Sequence, residues 1–270
     1  MPKSSKLDVF AVVGSLFGIV MILIGYKMEE GIFSKLVAPS PIFIVIGGTI
    51  GCVLLSFPMS ELKKIISSLN TIYTQKESDP VLIINQLAEL SEKARKDGLL
   101  SLEQDAQTNE NDLIRKGLAL VVDGRETEVI KDILIRETIL HESIHESGAK
   151  IFEAAGGYSP TMGVLGTVMG MISILANMED PATLGPKIST AFIATMMGVG
   201  FANLLYIPMA GRIKSKAESE KMINDLVIEG LLSIQAGENP RIIREKLNLA
   251  LLEKLSGKGG KQDAQEEAEG

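Results

Sequence analysis

Apolar and charged residues alternate along this chain in long blocks. No Asp, Glu, Lys or Arg occurs at 9–26, 36–60, 154–178 or 188–211. Each block is 18 to 25 residues long, and a helix needs about 20 apolar residues to cross the hydrocarbon core of a bilayer. The first block, VFAVVGSLFGIVMILIGY, lacks the polar face that a soluble core helix would keep. The pattern therefore predicts four membrane-spanning helices.

The basic residues predict how these spans are oriented. Three lysines lie at 61–76 and four basic residues at 212–221, whereas Lys27 and Lys35 of the loop 27–35 are offset by Glu29 and Glu30, and the loop 179–187 has only Lys187. The positive-inside rule therefore places the N-terminus, the 61–153 segment and the C-terminal tail in the cytoplasm. Lys3 and Lys6 precede the first block, but it is too long for a signal peptide, has no A-x-A cleavage site and is followed by three more spans.

The segments between the spans have helical periodicity, so we predict an all-α fold. Pro80 opens one helix that stops at Asp97-Gly98, and a second runs from Asn111 to Asp123. The predicted domains are an N-terminal hairpin at 1–60 with spans at about 8–26 and 37–59, a cytoplasmic helical domain at 61–153, spans three and four at 154–211, C-terminal helices at 212–256 and a disordered tail at 257–270.

The average composition conceals this division. Of the 270 residues, 46% are hydrophobic and 23% are charged, with a net charge of −7 and a mean hydropathy of +0.23. The uneven distribution of charge excludes a freely soluble enzyme, and the absence of an aromatic-rich basic stretch excludes a nucleic-acid binder. The single cysteine, Cys52, lies in the second span and cannot form an intrachain disulfide.

The spans contain glycine pairs but no ionisable side chain. The G-x-x-x-G pairs Gly14/Gly18, Gly47/Gly51 and Gly166/Gly170 allow close approach of helices in lipid, and they exceed what four helices need. Intramembrane ionisable residues usually mark ion pathways, so this chain alone cannot be a proton relay. Either it moves no ions, or a partner helix supplies the titrating group. The polar residues that remain in spans three and four are Thr161, Thr167, Ser173, Asn177, Ser189, Thr190, Thr195 and Asn203.

Two stretches resemble a known family. The sequences GAKIFEAAGGYSPTMGVLGTVMGMI and STAFIATMMGVGFANLLYIPMAGRI are similar to the paired helices of the MotA/TolQ/ExbB proton-channel family. The N-terminal hairpin and EKARKDGLLSLE resemble its flagellar stator members, the MotA, PomA and MotP types, over about residues 7–255. TolQ and ExbB energisers are an alternative from the same family, but they are similar only over the second half because they lack the first two spans in this arrangement, so the N-terminal hairpin disfavours them.

The resemblance implies a non-enzymatic motor subunit of the bacterial inner membrane. Such subunits form a ring, understood to be a pentamer, around a dimer of a MotB-type partner that carries the ion-binding Asp and anchors to peptidoglycan. Inward flow of H⁺ or Na⁺ drives rotation against the rotor protein FliG, which powers motility and chemotaxis. No cofactor is implied apart from the transported ion.

The resemblance also implies roles for individual residues. Arg95 and Glu103, with Lys96 adjacent, match the charged residues that engage the rotor. Pro160 and Pro208 match two prolines at which ion transit couples to motion, and Thr195 matches the threonine that faces the partner's Asp. Thr167 stands where sodium-type members have a threonine, but Ala194 stands where some of them have another, so the ion stays open. From position alone, Pro160 fits the first turn of span three, and Pro208 fits either a helix end or a kink.

One motif points to another class of protein. His141-Glu142-Ser143-Ile144-His145 satisfies H-E-x-x-H, the zinc-protease pattern. A third ligand is also needed, and the metzincin position for it is Ile151, which cannot bind metal. A membrane metalloprotease is therefore the alternative of another class, and the sequence disfavours it.

Overall fold

Helices follow one another along almost the whole of the computed structural model, which describes residues 6–75, 79–176 and 181–269. They are α1 (Val9–Met28), α2 (Phe33–Leu36), α3 (Pro39–Ile42), α4 (Gly48–Ser56), α5 (Met59–Leu62), α6 (Ile65–Tyr73), α7 (Pro80–Asp97), α8 (Glu103–Thr108), α9 (Asp112–Val122), α10 (Thr127–Leu175), α11 (Pro181–Phe201), α12 (Ile207–Gln235) and α13 (Pro240–Glu269). A 3-10 turn (Leu99–Leu102) joins α7 to α8, and π-helical turns (Phe43–Gly47 and Ala202–Tyr206) precede α4 and α12. Within the described residues, the strands β1 (Lys6–Leu7) and β2 (Thr74–Gln75) form one short antiparallel pair. The predicted all-α class is confirmed.

Local capping explains the ends of the helices in the charged segments. The Asp79 side chain accepts a hydrogen bond from the amide of Val81 at the start of α7, and Gly98 ends that helix with φ of +83°. Asn111 caps α9 in the same way, and Gly124 follows that helix with φ of +68°. Because only glycine adopts such φ values without strain, these helix ends could be predicted from the sequence, and they are confirmed.

Four helical stretches are long and apolar enough to cross a membrane. Among the described residues these are Val9–Met28, Pro39–Ser56, Thr127–Leu175 and Leu184–Gln235. The last two are 49 and 52 residues long, about twice what a bilayer requires. Both helices therefore continue beyond the uncharged blocks into charged sequence, so the predicted boundaries at 154 and 211 are not helix ends.

The chain divides into two compact units. The first, here called the span unit, comprises Met1–Lys76 and Ile144–Lys216, and the second, the polar unit, comprises Glu77–Ser143 and Ala217–Gly270. All four uncharged blocks belong to the span unit. The predicted cytoplasmic domain began at 61 and ended at 153, but α6 lies in the span unit because Ile72 packs in one buried cluster with Ala149, Phe152, Ala210 and Ile213.

The polar unit has an aliphatic core of its own. Its fully buried side chains come from α7, the 3-10 turn that follows it, α9, α10, α12 and α13, and the largest are Ile84, Leu87, Leu102, Ile114, Leu118, Ile130, Leu134, Leu226, Leu231, Ile234 and Ile243. The last helix, α13, extends to Glu269, whereas the sequence predicts disorder at 257–270. Lys, Gln, Glu and Ala, which make up eight of the nine residues at 261–269, favour helix intrinsically, whereas Gly257, Gly259 and Gly260 disfavour it.

Candidate functional site

The third and fourth spans approach each other through small residues. A Cβ added at Gly163 would lie 2.8 Å from the Ala194 carbonyl oxygen, and one at Gly198 would lie 2.6 Å from the Ser159 carbonyl oxygen. One at Gly170 would be 2.6 Å from the Ala191 Cβ. The backbones of the third and fourth spans are therefore closer at these positions than a side chain larger than glycine would permit, as in other small-residue contacts between membrane helices.

This close approach brings together the two threonines of the predicted ion pathway. The Thr167 and Thr195 hydroxyls are hydrogen-bonded to each other. The Thr167 hydroxyl also lies 3.0 Å from the Ala191 carbonyl oxygen and 3.2 Å from that of Gly163. Both threonines are half-buried. The result is a group of hydroxyl and carbonyl oxygens between α10 and α11, the ligand type that hard cations prefer.

A buried serine holds the same contact together. The Ser159 hydroxyl donates to the Gly198 carbonyl oxygen at 2.9 Å, and the Ser159 side chain is 1% exposed. A hydrogen bond between membrane helices contributes about 0.6 kcal/mol on average. Sequence reasoning did not identify Ser159. Its position next to Pro160, opposite a glycine, was the available signal.

The two predicted coupling prolines occupy different settings. Pro160 lies in the interior of α10, so its prediction as a first-turn residue was wrong, because α10 begins at Thr127, well before the uncharged block. Pro208 is the second residue of α12, two positions after the last residue of the π-helical turn. Proline lacks the N–H of the helical ladder and clashes with the preceding turn, and a π-turn relieves such a conflict. The kink is therefore the better interpretation for Pro208, since the helix continues to Gln235.

The three predicted rotor residues lie around one tight turn of the polar unit. Arg95 and Lys96 belong to the last turn of α7, and Glu103 begins α8. All three are exposed. Lys96 is paired with Glu92 at 2.6 Å, and the hydrogen bond from Lys96 is the main reason that the pKa of Glu92 lies below its ordinary value. Within the described ranges, neither Arg95 nor Glu103 forms an ion pair. They are free for a partner.

The turn between these residues is packed against the core of the polar unit and carries an exposed leucine. Leu102 is fully buried in the core of the polar unit, and Lys93 pairs with Asp105 at 2.7 Å, so α7 and α8 are fixed to each other. Ser101 donates to the Gly98 carbonyl oxygen at 2.7 Å. Leu100 is nevertheless 72% exposed. An apolar side chain held out among unpaired charges is typical of an interface, and sequence reasoning missed it.

The H-E-x-x-H segment lies on α10 in a different chemical setting from a zinc site. Both carboxylate oxygens of Glu142, the general base that the protease mechanism requires, accept hydrogen bonds from the Lys221 ammonium at 2.7 and 3.0 Å. Across the three described ranges, no three His, Cys, Asp or Glu side chains lie close enough together to hold a metal ion.

A buried carboxylate in the span unit was not predicted. Asp8 is 3% exposed and caps α1 by accepting from the Ala11 amide at 3.2 Å. Arg212 donates to its other oxygen, and the Lys216 ammonium is 3.0 Å away. Burial alone would raise the pKa of Asp8, but these hydrogen bonds and cations lower it to about 2, from an ordinary 3.8. The available signal was an acid immediately before an apolar block.

Asp8 should make the stability of the protein depend on pH in the acid range. Because folding lowers the pKa of Asp8, its contribution to the free energy of unfolding is complete above pH 3.8 and is lost as the pH falls towards 2. The shift corresponds to about 2 kcal/mol at neutral pH. Melting curves of the purified protein in detergent should show Asp8→Asn well below wild type at pH 7, with the difference shrinking below about pH 3.8. A constant difference between pH 6 and pH 2.5 would contradict this prediction.

Comparison with known proteins places these features in a family. The profile of the MotA/TolQ/ExbB proton channel family matches residues 105–226, and that of the motility protein A N-terminal region matches residues 12–98. Motility protein A of Bacillus subtilis is 35% identical over 246 residues, which are 91% of either chain. PomA of Vibrio alginolyticus, a chemotaxis protein, is 30% identical over 88% of this chain and 92% of its own.

Solved structures agree with the sequence comparison. The flagellar MotAB stator complex of Bacillus subtilis contains a chain that is 35% identical, with a TM-score of 0.83 over 89% of this chain and 94% of that one. The MotAB structure of C. jejuni gives a TM-score of 0.85 at 27% identity, over 90% of this chain and 95% of that one. With a relative 35% identical along 91% of its length, this chain belongs to the MotA/TolQ/ExbB proton channel family.

Proposed function

We propose that this membrane protein is a subunit of a flagellar stator and that it couples ion flow to rotation of the flagellar rotor. The observation that carries the proposal is the oxygen group around Thr167 and Thr195 between two spans that contain no ionisable residue. These oxygens can contact an ion but cannot take up or release a proton, so the titrating carboxylate must come from another chain. Relatives named motility protein A and structures of MotAB stator complexes support the same function.

The partners follow from this division of roles. A MotB-type single-span subunit that binds peptidoglycan would supply the carboxylate opposite Thr195, and several copies of this chain, five by family analogy, would surround a dimer of it. Gly14, Gly47 and Gly51 have no atom within 4 Å of an added Cβ. These glycines therefore remain available for contacts with other helices in the bilayer.

The polar unit would supply the contact with the rotor protein FliG. Arg95 and Glu103 would pair with complementary charges, and Leu100 between them would supply apolar area. In this arrangement the polar unit and both termini are cytoplasmic, as the basic residues after spans two and four predict, and the spans lie in the bacterial inner membrane. Pro160 and Pro208 would be the positions at which ion transit is converted into motion.

The alternative functions are not favoured. A TolQ/ExbB-type energiser would lack the N-terminal hairpin, whereas residues 12–98 match the motility protein A N-terminal region. A zinc protease would need Glu142 free to activate water, but that carboxylate is paired with Lys221. We propose a non-enzymatic role with no cofactor other than the transported H⁺ or Na⁺.

Swimming assays test both the motor function and the ion. A strain without this chain, and without a second stator set, should not swim, and the wild-type chain should restore swimming. Thr167 favours Na⁺ because its hydroxyl adds an oxygen for a partly dehydrated cation, so swimming should rise with external Na⁺ and resist a protonophore. Thr167→Ala should raise the Na⁺ concentration needed for half-maximal swimming about threefold to tenfold, because the loss of one polar contact costs about 0.7–1.4 kcal/mol. Normal swimming of the deletion strain would disprove the motor function, whereas protonophore sensitivity alone would disprove only the choice of Na⁺.

A further inference from the structure

Three elements of the span unit meet at the Asp8 carboxylate. Asp8 begins α1, and its backbone amide donates to the Tyr73 carbonyl oxygen at the end of α6, at 2.8 Å. The pairing of β1 with β2 continues this junction. Arg212 and Lys216, which both contact the Asp8 side chain, belong to α12. One buried acid therefore links α1, the end of α6 and α12.

Lys216 strengthens the same junction through a second set of bonds. Its ammonium lies 2.9 Å from the Thr71 carbonyl oxygen, 3.0 Å from that of Ile72 and 2.9 Å from that of Thr74. These carbonyls are at the C-terminus of α6, where a cation is stabilised by the helix dipole. Together with Asp8, four oxygen-bearing groups surround one largely buried ammonium. Such an arrangement fixes the orientation of the Lys216 side chain relative to the end of α6.

The two cations follow Pro208 at a spacing of one helical turn. Pro208, Arg212 and Lys216 are four residues apart and therefore lie on one face of α12. The π-helical turn at Ala202–Tyr206 lies directly before them. The regular α-helical hydrogen bonding is thus interrupted before Pro208 by the π-helical turn. After Pro208 the helix is held by the ion pairs of Arg212 and Lys216 with the buried Asp8.

We propose that Asp8 is a positioning residue that fixes the first two turns of α12 after Pro208 to α1 and α6, so that movement of span four is confined to the π-helical turn. This proposal rests on the proposed stator function. A hinge needs one fixed side, and residues that hold it are commonly far from the chemistry. Removal of one partner from a buried ion pair leaves the other charges uncompensated, so Asp8 holds this attachment more firmly than an exposed pair could.

The chain contains a matched control pair on the same helix. Lys214, two residues from both cations, pairs with Glu153 of α10, but the two side chains are 49% and 45% exposed. Exposed ion pairs contribute little. Glu153→Gln therefore removes a pair between α12 and a neighbouring helix without disturbing the buried junction.

The test compares Asp8→Asn with Glu153→Gln in a strain whose swimming depends on this chain. Each variant is expressed with its partner subunit, and three quantities are measured: co-purification with the partner, ion influx and torque on a tethered bead. For Asp8→Asn we expect assembly to persist, ion influx to stay within about twofold, and torque per unit of influx to fall about threefold or more, because Arg212 and Lys216 lose the buried carboxylate that holds them. Glu153→Gln should match wild type in all three quantities.

Other outcomes overturn the proposal. A purely structural role would lower assembly, influx and torque in proportion and leave the torque per unit of influx unchanged. Unchanged torque in Asp8→Asn would also refute it, although the stator function would stand because the wild-type chain restores swimming. Where Asp8→Asn does not accumulate, Lys216→Gln, which removes one cation and keeps an amide donor for α6, must show the same fall in torque per unit of influx. If it does not, the proposal is wrong.

Discussion

Reversing the charge of Arg95 or Glu103 is expected to reduce motor torque severely while leaving the protein folded and assembled. Both side chains are exposed at the turn between α7 and α8 and have no ion-pair partner in the described part of the chain. A substitution there should change the free energy of unfolding by less than about 0.5 kcal/mol. A like charge placed against the rotor should weaken docking about tenfold, or about 1.4 kcal/mol, for each reversal. The combined variant should not swim.

The control for this experiment is Lys131→Glu. Lys131 is an exposed lysine on α10 of the same polar unit, so its reversal changes the net charge by the same amount and in the same direction as Arg95→Glu, but away from the turn. Torque on tethered beads and co-purification with the partner are measured for all variants. Full torque in both Arg95→Glu and Glu103→Lys would show that this turn is not the contact surface. Loss of torque in Lys131→Glu would show that net charge, rather than position, matters.

Gly198→Ala is expected to abolish ion flow through a single added methyl group. Its Cβ would lie 2.6 Å from the Ser159 carbonyl oxygen and 2.9 Å from the Gly163 Cα. Both are backbone atoms, so α10 and α11 must separate. Overpacking of this kind costs about 1–3 kcal/mol. It would also lengthen the Ser159 hydrogen bond and move Thr195 away from Thr167, so the oxygen group would no longer be continuous.

Gly200→Ala is the matched control for Gly198→Ala. Gly200 lies two residues further along α11, and an added Cβ there would meet no atom of this chain within 4 Å. Gly198→Ala should lower the melting temperature and abolish ion influx, whereas Gly200→Ala should keep a melting temperature near that of the wild type. If Gly198→Ala melts and conducts like wild type, the close packing of spans three and four does not support the pathway.

The sequence allowed accurate prediction wherever structure depends on neighbouring residues. Pro80, Gly98 and Gly124 mark helix ends through local φ values and missing donors, and uncharged blocks mark spans through their length alone. The residues predicted to contact the rotor and both threonines could be named from the family pattern. The contact between Thr167 and Thr195 could not be predicted, because it depends on how closely Gly163 and Gly198 let the two helices approach.

The remaining features depend on residues far apart in the chain. Asp8 and Arg212 are 204 positions apart, and no local pattern announces that a buried acid meets two cations at such a distance. Pro160 was misplaced because the uncharged block was assumed to define the start of its helix, whereas α10 had already begun at Thr127. Helical periodicity also cannot reveal a π-turn, because one added residue leaves the apolar content of a span unchanged.

That added residue sets the register of everything after it. A residue inserted into an α-helix turns the downstream part by about 100° about the helix axis. The contact of Arg212 and Lys216 with Asp8 therefore depends on the number of residues in the π-turn at Ala202–Tyr206. Deletion of any one of these five residues would remove neither Asp8, Arg212 nor Lys216. It would nevertheless rotate Arg212 and Lys216 about the axis of α12, away from Asp8. The length of span four is thus as much a constraint on this chain as its composition.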